Sequence, residues 1–92
     1  MISKSNRSVV FRGLSLDGVL SYPNQIGIYR IVTKPSGLPS DANDYGTLFI
    51  FGIGYYVHLY VDVDSNAWIA RSNAMEGEAN VNKPTTWRKI TA

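Results

Sequence analysis

Ninety-two residues with 45% hydrophobic and 17% charged content describe one globular domain, neither a disordered tail nor a multidomain chain. A net charge of +2 is too small to imply a nucleic-acid partner, which would need a clustered basic stripe. With no cysteine there is no disulfide, thiolate nucleophile or zinc-thiolate site, and the sole histidine, His58, cannot build a histidine metal cluster.

No apolar run approaches the roughly 18 residues of a membrane span, so membrane insertion is not expected. The opening MISKSNRSVVF lacks the apolar stretch of a signal peptide. Arrival outside a cell is therefore expected through lysis or as part of a particle.

Residues 1–13 read as a polar lead-in with a short strand at 9–11, and residues 14–92 as a single domain. Between Gly13 and Tyr22 the apolar positions Leu14, Leu16, Val19 and Leu20 fit a turn of helix, which Gly18 weakens. Pro23 and Asn24 then punctuate the chain. Residues 26–32, IGIYRIV, form a strand with Ile26, Ile28, Arg30 and Val32 on one face and Gly27, Tyr29 and Ile31 on the other. Residues 34–44, KPSGLPSDAND, are rich in turn formers and read as a loop.

The stretch 45–62, YGTLFIFGIGYYVHLYVD, carries a hairpin signature: two β-branched and aromatic runs flank Gly52-Ile53-Gly54. The second run alternates. Its more apolar set, Tyr55, Val57, Leu59 and Val61, is expected to face the core. Tyr56, His58, Tyr60 and Asp62 are then expected to form an outward surface of phenols and an imidazole. Phe49 and Phe51 are assigned to the core. A turn at 62–66, a strand at 67–72, a polar loop at 73–84 and a closing strand at 86–91 complete the chain. The fold class expected is mostly β: a small antiparallel sheet or sandwich of about six short strands, with at most one short helical turn.

The turn at 62–66 decides where Trp68 and Arg71 face. A loop of two or four residues places Trp68 beside Val61 and groups Arg71 with His58 and Tyr60; a three-residue loop with a bulge reverses this. Asn66 could supply the left-handed residue that a bulge needs, so the sequence leaves the register open; the even loop is favoured because it buries Trp68 beside Val57, Leu59 and Val61, although it puts Ile69 on the other side.

Catalytic, metal and cofactor motifs are not found. Asp62, Asp64 and Asn66 loosely match the start of a calcium loop, but the following glycine and distant glutamate are missing, so a turn-forming role is expected. Gly52 and Gly54 lack the third glycine and the helix of a phosphate cradle. A non-enzymatic protein without cofactors is expected.

Several segments recur in an order that resembles the knob domain of R-type pyocin and phage tail fibres. They are Leu16-Asp17, Ile26-Gly27-Ile28-Tyr29-Arg30, Tyr45-Gly46-Thr47-Leu48-Phe49-Ile50 and Tyr56-Val57-His58-Leu59-Tyr60. Asn66-Ala67-Trp68-Ile69-Ala70-Arg71-Ser72 and Trp87-Arg88-Lys89-Ile90 follow. His58 stands where that family often has glutamine, and only one tryptophan, Trp87, closes the chain. The resemblance implies a receptor-binding module of a virion tail or phage-like particle. It further implies a homotrimer, joined to other tail-fibre segments, that binds bacterial surface glycan during host attachment. A structural or trimerisation knob without receptor contact is the other reading.

The ligand-binding candidates are Tyr56, His58 and Tyr60 as an aromatic strand face, Arg71 as a clamp for an anionic group, and Trp87 as a sugar-stacking ring. Tyr29 and Tyr45 are expected to pack with bonded hydroxyls. The loops 34–44 (Lys34, Asp41, Asn43, Asp44) and 73–82 (Asn73, Glu76, Glu78, Asn80) offer further polar groups.

Overall fold

The computed structural model describes residues 13–75 and 80–92. Six strands follow in chain order: β1 (Leu14–Ser15), β2 (Gly27–Ile31), β3 (Gly46–Ile53), β4 (Tyr55–Asp62), β5 (Ala67–Asn73) and β6 (Arg88–Lys89). They lie in one sheet in the same order as in the sequence. β1 runs parallel to β2, and every other pair is antiparallel. The fold is therefore mostly β, a mixed sheet with no helix among the described residues. The helical turn considered near Leu14–Leu20 is instead β1 and an irregular crossover. The proposed strand at 9–11 lies outside the described residues.

Register lines up the inward side chains in rows. Tyr29, Leu48, Tyr60, Trp68 and Lys89 form one row across β2 to β6, and Gly27, Ile50, His58 and Ala70 form the next. Ile31, Leu48, Ile50, His58 and Tyr60 are almost completely buried on this face. Among the described residues no second sheet or helix covers it. The lid is made of connecting chain that contributes Val19, Tyr22, Leu38, Ala42, Val81 and Trp87 to the core.

That kind of cover reverses the expected facing of β4. Tyr56, His58, Tyr60 and Asp62 point inward and are buried, whereas Val57, Leu59 and Val61 are only half-buried and Tyr55 is exposed on the outer face. The reason is hydrogen bonding. Irregular chain brings unpaired backbone groups into the interior, and each must find a partner. Tyr60 Oη donates to the Asn43 carbonyl at 2.8 Å, and Asp62 accepts from the backbone N–H of Asn43 at 2.9 Å. Valine and leucine could do neither.

Two glycines make room for the phenols, Gly27 beside the Tyr29 ring and Gly46 beside the Tyr60 ring. A Cβ on Gly46 would sit 2.8 Å from the Tyr60 ring and 2.5 Å from the Val61 carbonyl oxygen. Phe49 and Phe51, assigned to the core by sequence, lie on the outer face, with Phe51 49% exposed. Tyr45 is also exposed, while Tyr29 packs with its hydroxyl donating to the Gln25 carbonyl at 2.5 Å, as expected.

The turn between β4 and β5 follows the three-residue alternative. Asp62 N–H donates to the Asn66 carbonyl, Ser65 N–H donates to the Asp62 carbonyl, and Ser65 takes the left-handed conformation (φ 68°) in place of Asn66. Asp62 Oδ1 accepts from Asp64 N–H at 3.0 Å and Asn66 N–H at 3.1 Å. The Asp62–Asn66 segment is thus a side-chain-locked turn. Trp68 is buried as expected, but beside Tyr60, and Arg71 faces outward beside Val57.

Candidate functional site

The loop between β2 and β3 and the segment entering β6 face each other across a groove of about 590 Å³. Gly37, Leu38, Pro39, Ser40 and Asp41 form one wall; Pro84, Thr85, Trp87 and Lys89 form the other, and Trp68 lies at the base. The second wall is the irregular lead into β6 and β6 itself, from which Thr85, Trp87 and Lys89 line the groove while Thr86 and Arg88 do not.

The loop is held by its own side chains. Lys34 Nζ donates to the carbonyls of Pro39 at 2.7 Å, Ser40 at 3.1 Å and Ala42 at 2.9 Å. Leu38 and Ala42 anchor it in the core. The indole N–H of Trp87 donates to the Gly37 carbonyl at 2.7 Å and ties the two walls together. At Gly37 the backbone is left-handed (φ 109°), and a Cβ would strike the Lys83 chain at 2.5 Å, so a side chain there would displace Lys83 and crowd the Tyr22 ring. Lys89 Nζ lies 5.6 Å from the Trp68 ring centroid, a cation–π contact that caps the tryptophan.

What remains available in the groove is the half-buried Trp87 ring, the exposed Ser40 and Asp41, the Thr85 hydroxyl and the Lys89 ammonium. An apolar ring face beside neutral and charged hydrogen-bonding groups suits a ligand with both C–H faces and hydroxyls.

Behind Trp87 lies a buried chain of polar groups. Tyr22 Oη is 2.7 Å from His58 Nδ1, and His58 Nε2 is 2.7 Å from Ser72 Oγ. The two imidazole tautomers run this chain in opposite directions. Either Tyr22 donates and His58 passes a donor on to Ser72, or Ser72 donates and His58 passes one to Tyr22. The Ser72–His58 spacing is that of a nucleophile and its base, yet the surroundings do not support the base role. Burial lowers the His58 pKa to about 4, and the outer ring nitrogen meets a phenol where an imidazolium would need a carboxylate. Burial likewise pushes the Tyr22 phenol far up. The chain is neutral and satisfies its own donors and acceptors. Trp87 packs edge-on against the imidazole, with ring centroids 6.3 Å apart.

Two further groups carry shifted ionisation. Burial, reinforced by the Asp62 and Asp44 charges, pushes the Tyr60 phenol up to about 12. Burial alone would raise the Asp62 carboxyl, but the N–H groups of Asn43, Asn66 and Asp64, with Lys89 nearby, hold it below the usual carboxylate range. Among the described residues no group of three histidine, aspartate or glutamate side chains is placed to hold a metal ion.

The sequence candidates therefore separate. Tyr56, His58 and Tyr60 are interior and present no aromatic surface. Arg71 lies on the opposite side of the sheet, its guanidinium 4.7 Å from the Tyr55 ring centroid. Trp87 alone is in the groove. Lys34 and Asn43 of the 34–44 loop are occupied by structural bonds, Asn43 accepting from Tyr45 N–H and donating to Asp64. Asp41 remains, joined by Ser40, Thr85 and Lys89, which sequence reasoning passed over. The alternation of Thr85, Trp87 and Lys89 was the signal available for two of them. Glu76 and Glu78 of the other loop lie outside the described residues.

Compared with protein-family models, with curated proteins and with solved structures, the chain finds no match in any of the three.

Proposed function

We propose that this domain is a non-enzymatic recognition module of a phage or phage-like tail fibre, binding bacterial surface polysaccharide during host attachment. The observation that carries the reading is the groove between residues 37–41 and 84–89. It sets the Trp87 ring beside Ser40, Asp41, Thr85 and Lys89 on a rigid sheet. A sugar would pack its C–H face on the indole and exchange hydroxyl hydrogen bonds with the two walls. The fibre assignment itself rests on the ordered resemblance of segments from Leu16 to Ile90.

A single shallow groove gives modest affinity. Display in a homotrimer at a virion tail raises the effective concentration of neighbouring sites, so avidity supplies what each site lacks.

One observation favours the alternative, a trimerisation knob without receptor contact. The outer face of β2 to β5 carries Ile28, Phe49, Phe51, Val57, Leu59, Val61 and Ile69 with no layer of described chain over it. By strand spacing it measures roughly 25 by 20 Å, at the upper end of ordinary exposed apolar patches. A second copy of the chain is the occupant this reading requires.

Whole-cell adsorption by the trimeric protein tests between them. Binding that is lost in Asp41→Ala and Lys89→Ala, with the trimer intact, supports recognition through the groove. Full adsorption by both variants favours the knob.

A further inference from the structure

A second pocket, of about 460 Å³, opens on the outer side of the sheet and is lined by Ile69, Ala70, Arg71, Thr86 and Arg88. It arises from a gap in strand pairing. β6 pairs with β5 only at Trp68–Lys89 and Ile69–Arg88, and contact resumes where Asn82 N–H donates to the Asn73 carbonyl. Residues 83–87 arch away in between. Ile90 N–H donates to the Ala67 carbonyl, so Ala67, Ile69, Arg71 and Asn73 direct their main-chain groups towards that edge. At Arg71 no strand meets them.

Two guanidinium groups share this opening. The Arg71 guanidinium carbon lies 4.7 Å from the Tyr55 ring centroid, a cation–π contact that holds the group at the mouth of the pocket. Arg88 projects from the neighbouring strand on the same side, opposite Ile69. Neither has an ion-pair partner among the described residues. The outward positions of β2 to β6 hold three arginines, Arg30, Arg71 and Arg88, and no acid. Arg30 is engaged elsewhere, donating to the Leu16 carbonyl at 3.1 Å. Two like charges in one pocket repel, and an anion between them turns that cost into charge-assisted hydrogen bonds.

We propose that Arg71, Arg88 and Thr86 form a second binding site for the carboxylate or phosphate group of an anionic ligand. The guanidinium edges supply paired donors to the anion, the Arg71 backbone N–H and the Thr86 hydroxyl add single ones, and Ile69 keeps the floor apolar. The site is separate from the Trp87 groove, because Thr86 and Arg88 line this pocket while Thr85, Trp87 and Lys89 line the groove. The inference deepens the glycan reading by adding a charge class, and rests on that reading only for the sugar that would carry the anion.

Calorimetric titration of the whole protein at low salt tests it with three probes: an oligogalacturonide, a neutral maltooligosaccharide of equal length, and inorganic phosphate. Arg71→Gln and Arg88→Gln are each expected to weaken the anionic probes about tenfold or more. Arg71→Lys, which keeps charge but loses the fork, is expected to fall between. Binding of the oligogalacturonide points to a carboxylate-bearing sugar as the source, and binding of phosphate together with the neutral maltooligosaccharide points to a phosphate-bearing one. Unchanged melting temperatures confirm that these exposed substitutions leave the fold intact. Anion binding that is absent, or indifferent to both glutamine variants, overturns the proposal. Failure of the glycan reading leaves a different trace: Arg-dependent phosphate capture persists while neither oligosaccharide binds.

Discussion

Acidification should destabilise this protein in a pH window that belongs to His58. The imidazole is fully buried and neutral, and burial holds its pKa near 4 against 6.5 for the free side chain. A histidine whose folded pKa is depressed takes up protons more readily when unfolded, so stability falls as pH drops below 6.5 and levels off near 4. Linkage gives a loss of about 1.4 kcal/mol at pH 5.5, about 2 kcal/mol at pH 5 and about 3 kcal/mol at pH 4, relative to pH 8. Asp62 adds its own loss only further down, since its carboxyl titrates below the usual carboxylate range. His58 is the sole histidine, so no other imidazole contributes. Urea unfolding followed by tryptophan fluorescence at pH 7.5, 5.5 and 4.5 measures the slope. His58→Gln keeps a polar side chain between Tyr22 and Ser72 and should flatten the curve between pH 7 and 5, whatever its cost at neutral pH. An identical slope in the glutamine variant, or a wild-type protein that gains stability on acidification, would refute the reasoning.

Gly46→Ala places a methyl against the Val61 carbonyl and the Tyr60 ring, and should cost about 3 kcal/mol, read as a shift in urea midpoint. Tyr60→Phe removes the donor to the buried Asn43 carbonyl and should cost about 1–3 kcal/mol, whereas Tyr55→Phe on the exposed outer face should be nearly neutral. Trp87→Phe removes the indole donor to Gly37 but keeps a ring, so loop 37–41 should show faster amide exchange while the sheet keeps its protection.

Strand placement was legible because alternation and turn residues act locally. The Gly27–Ile31, Tyr55–Asp62 and Ala67–Asn73 strands fall within a residue or two of their sequence expectations. The facing of β4 was not legible from hydropathy. Ranking Val57, Leu59 and Val61 above Tyr56, His58 and Tyr60 presumes a core closed by apolar side chains, and this core is closed by loops that need donors and acceptors. A counter-signal was present in Gly27 and Gly46, which share the inward face with Tyr29 and Tyr60 and leave space for their rings. The β4–β5 register turned on one residue, since Ser65 and not Asn66 took the left-handed position. The groove was half visible: Trp87 and Asp41 stood out by residue type, while Ser40, Thr85 and Lys89 join them only through folding.

Mapping by amide and indole NMR during titration with polysaccharide from an adsorbing host tests the recognition role most directly. Groove binding predicts shifts concentrated at Ser40, Asp41, Thr85, Lys89 and the Trp87 indole, with the outer-face residues Val57 and Leu59 unmoved. Saturating polysaccharide that leaves the Trp87 indole and the 37–41 amides unchanged would contradict it.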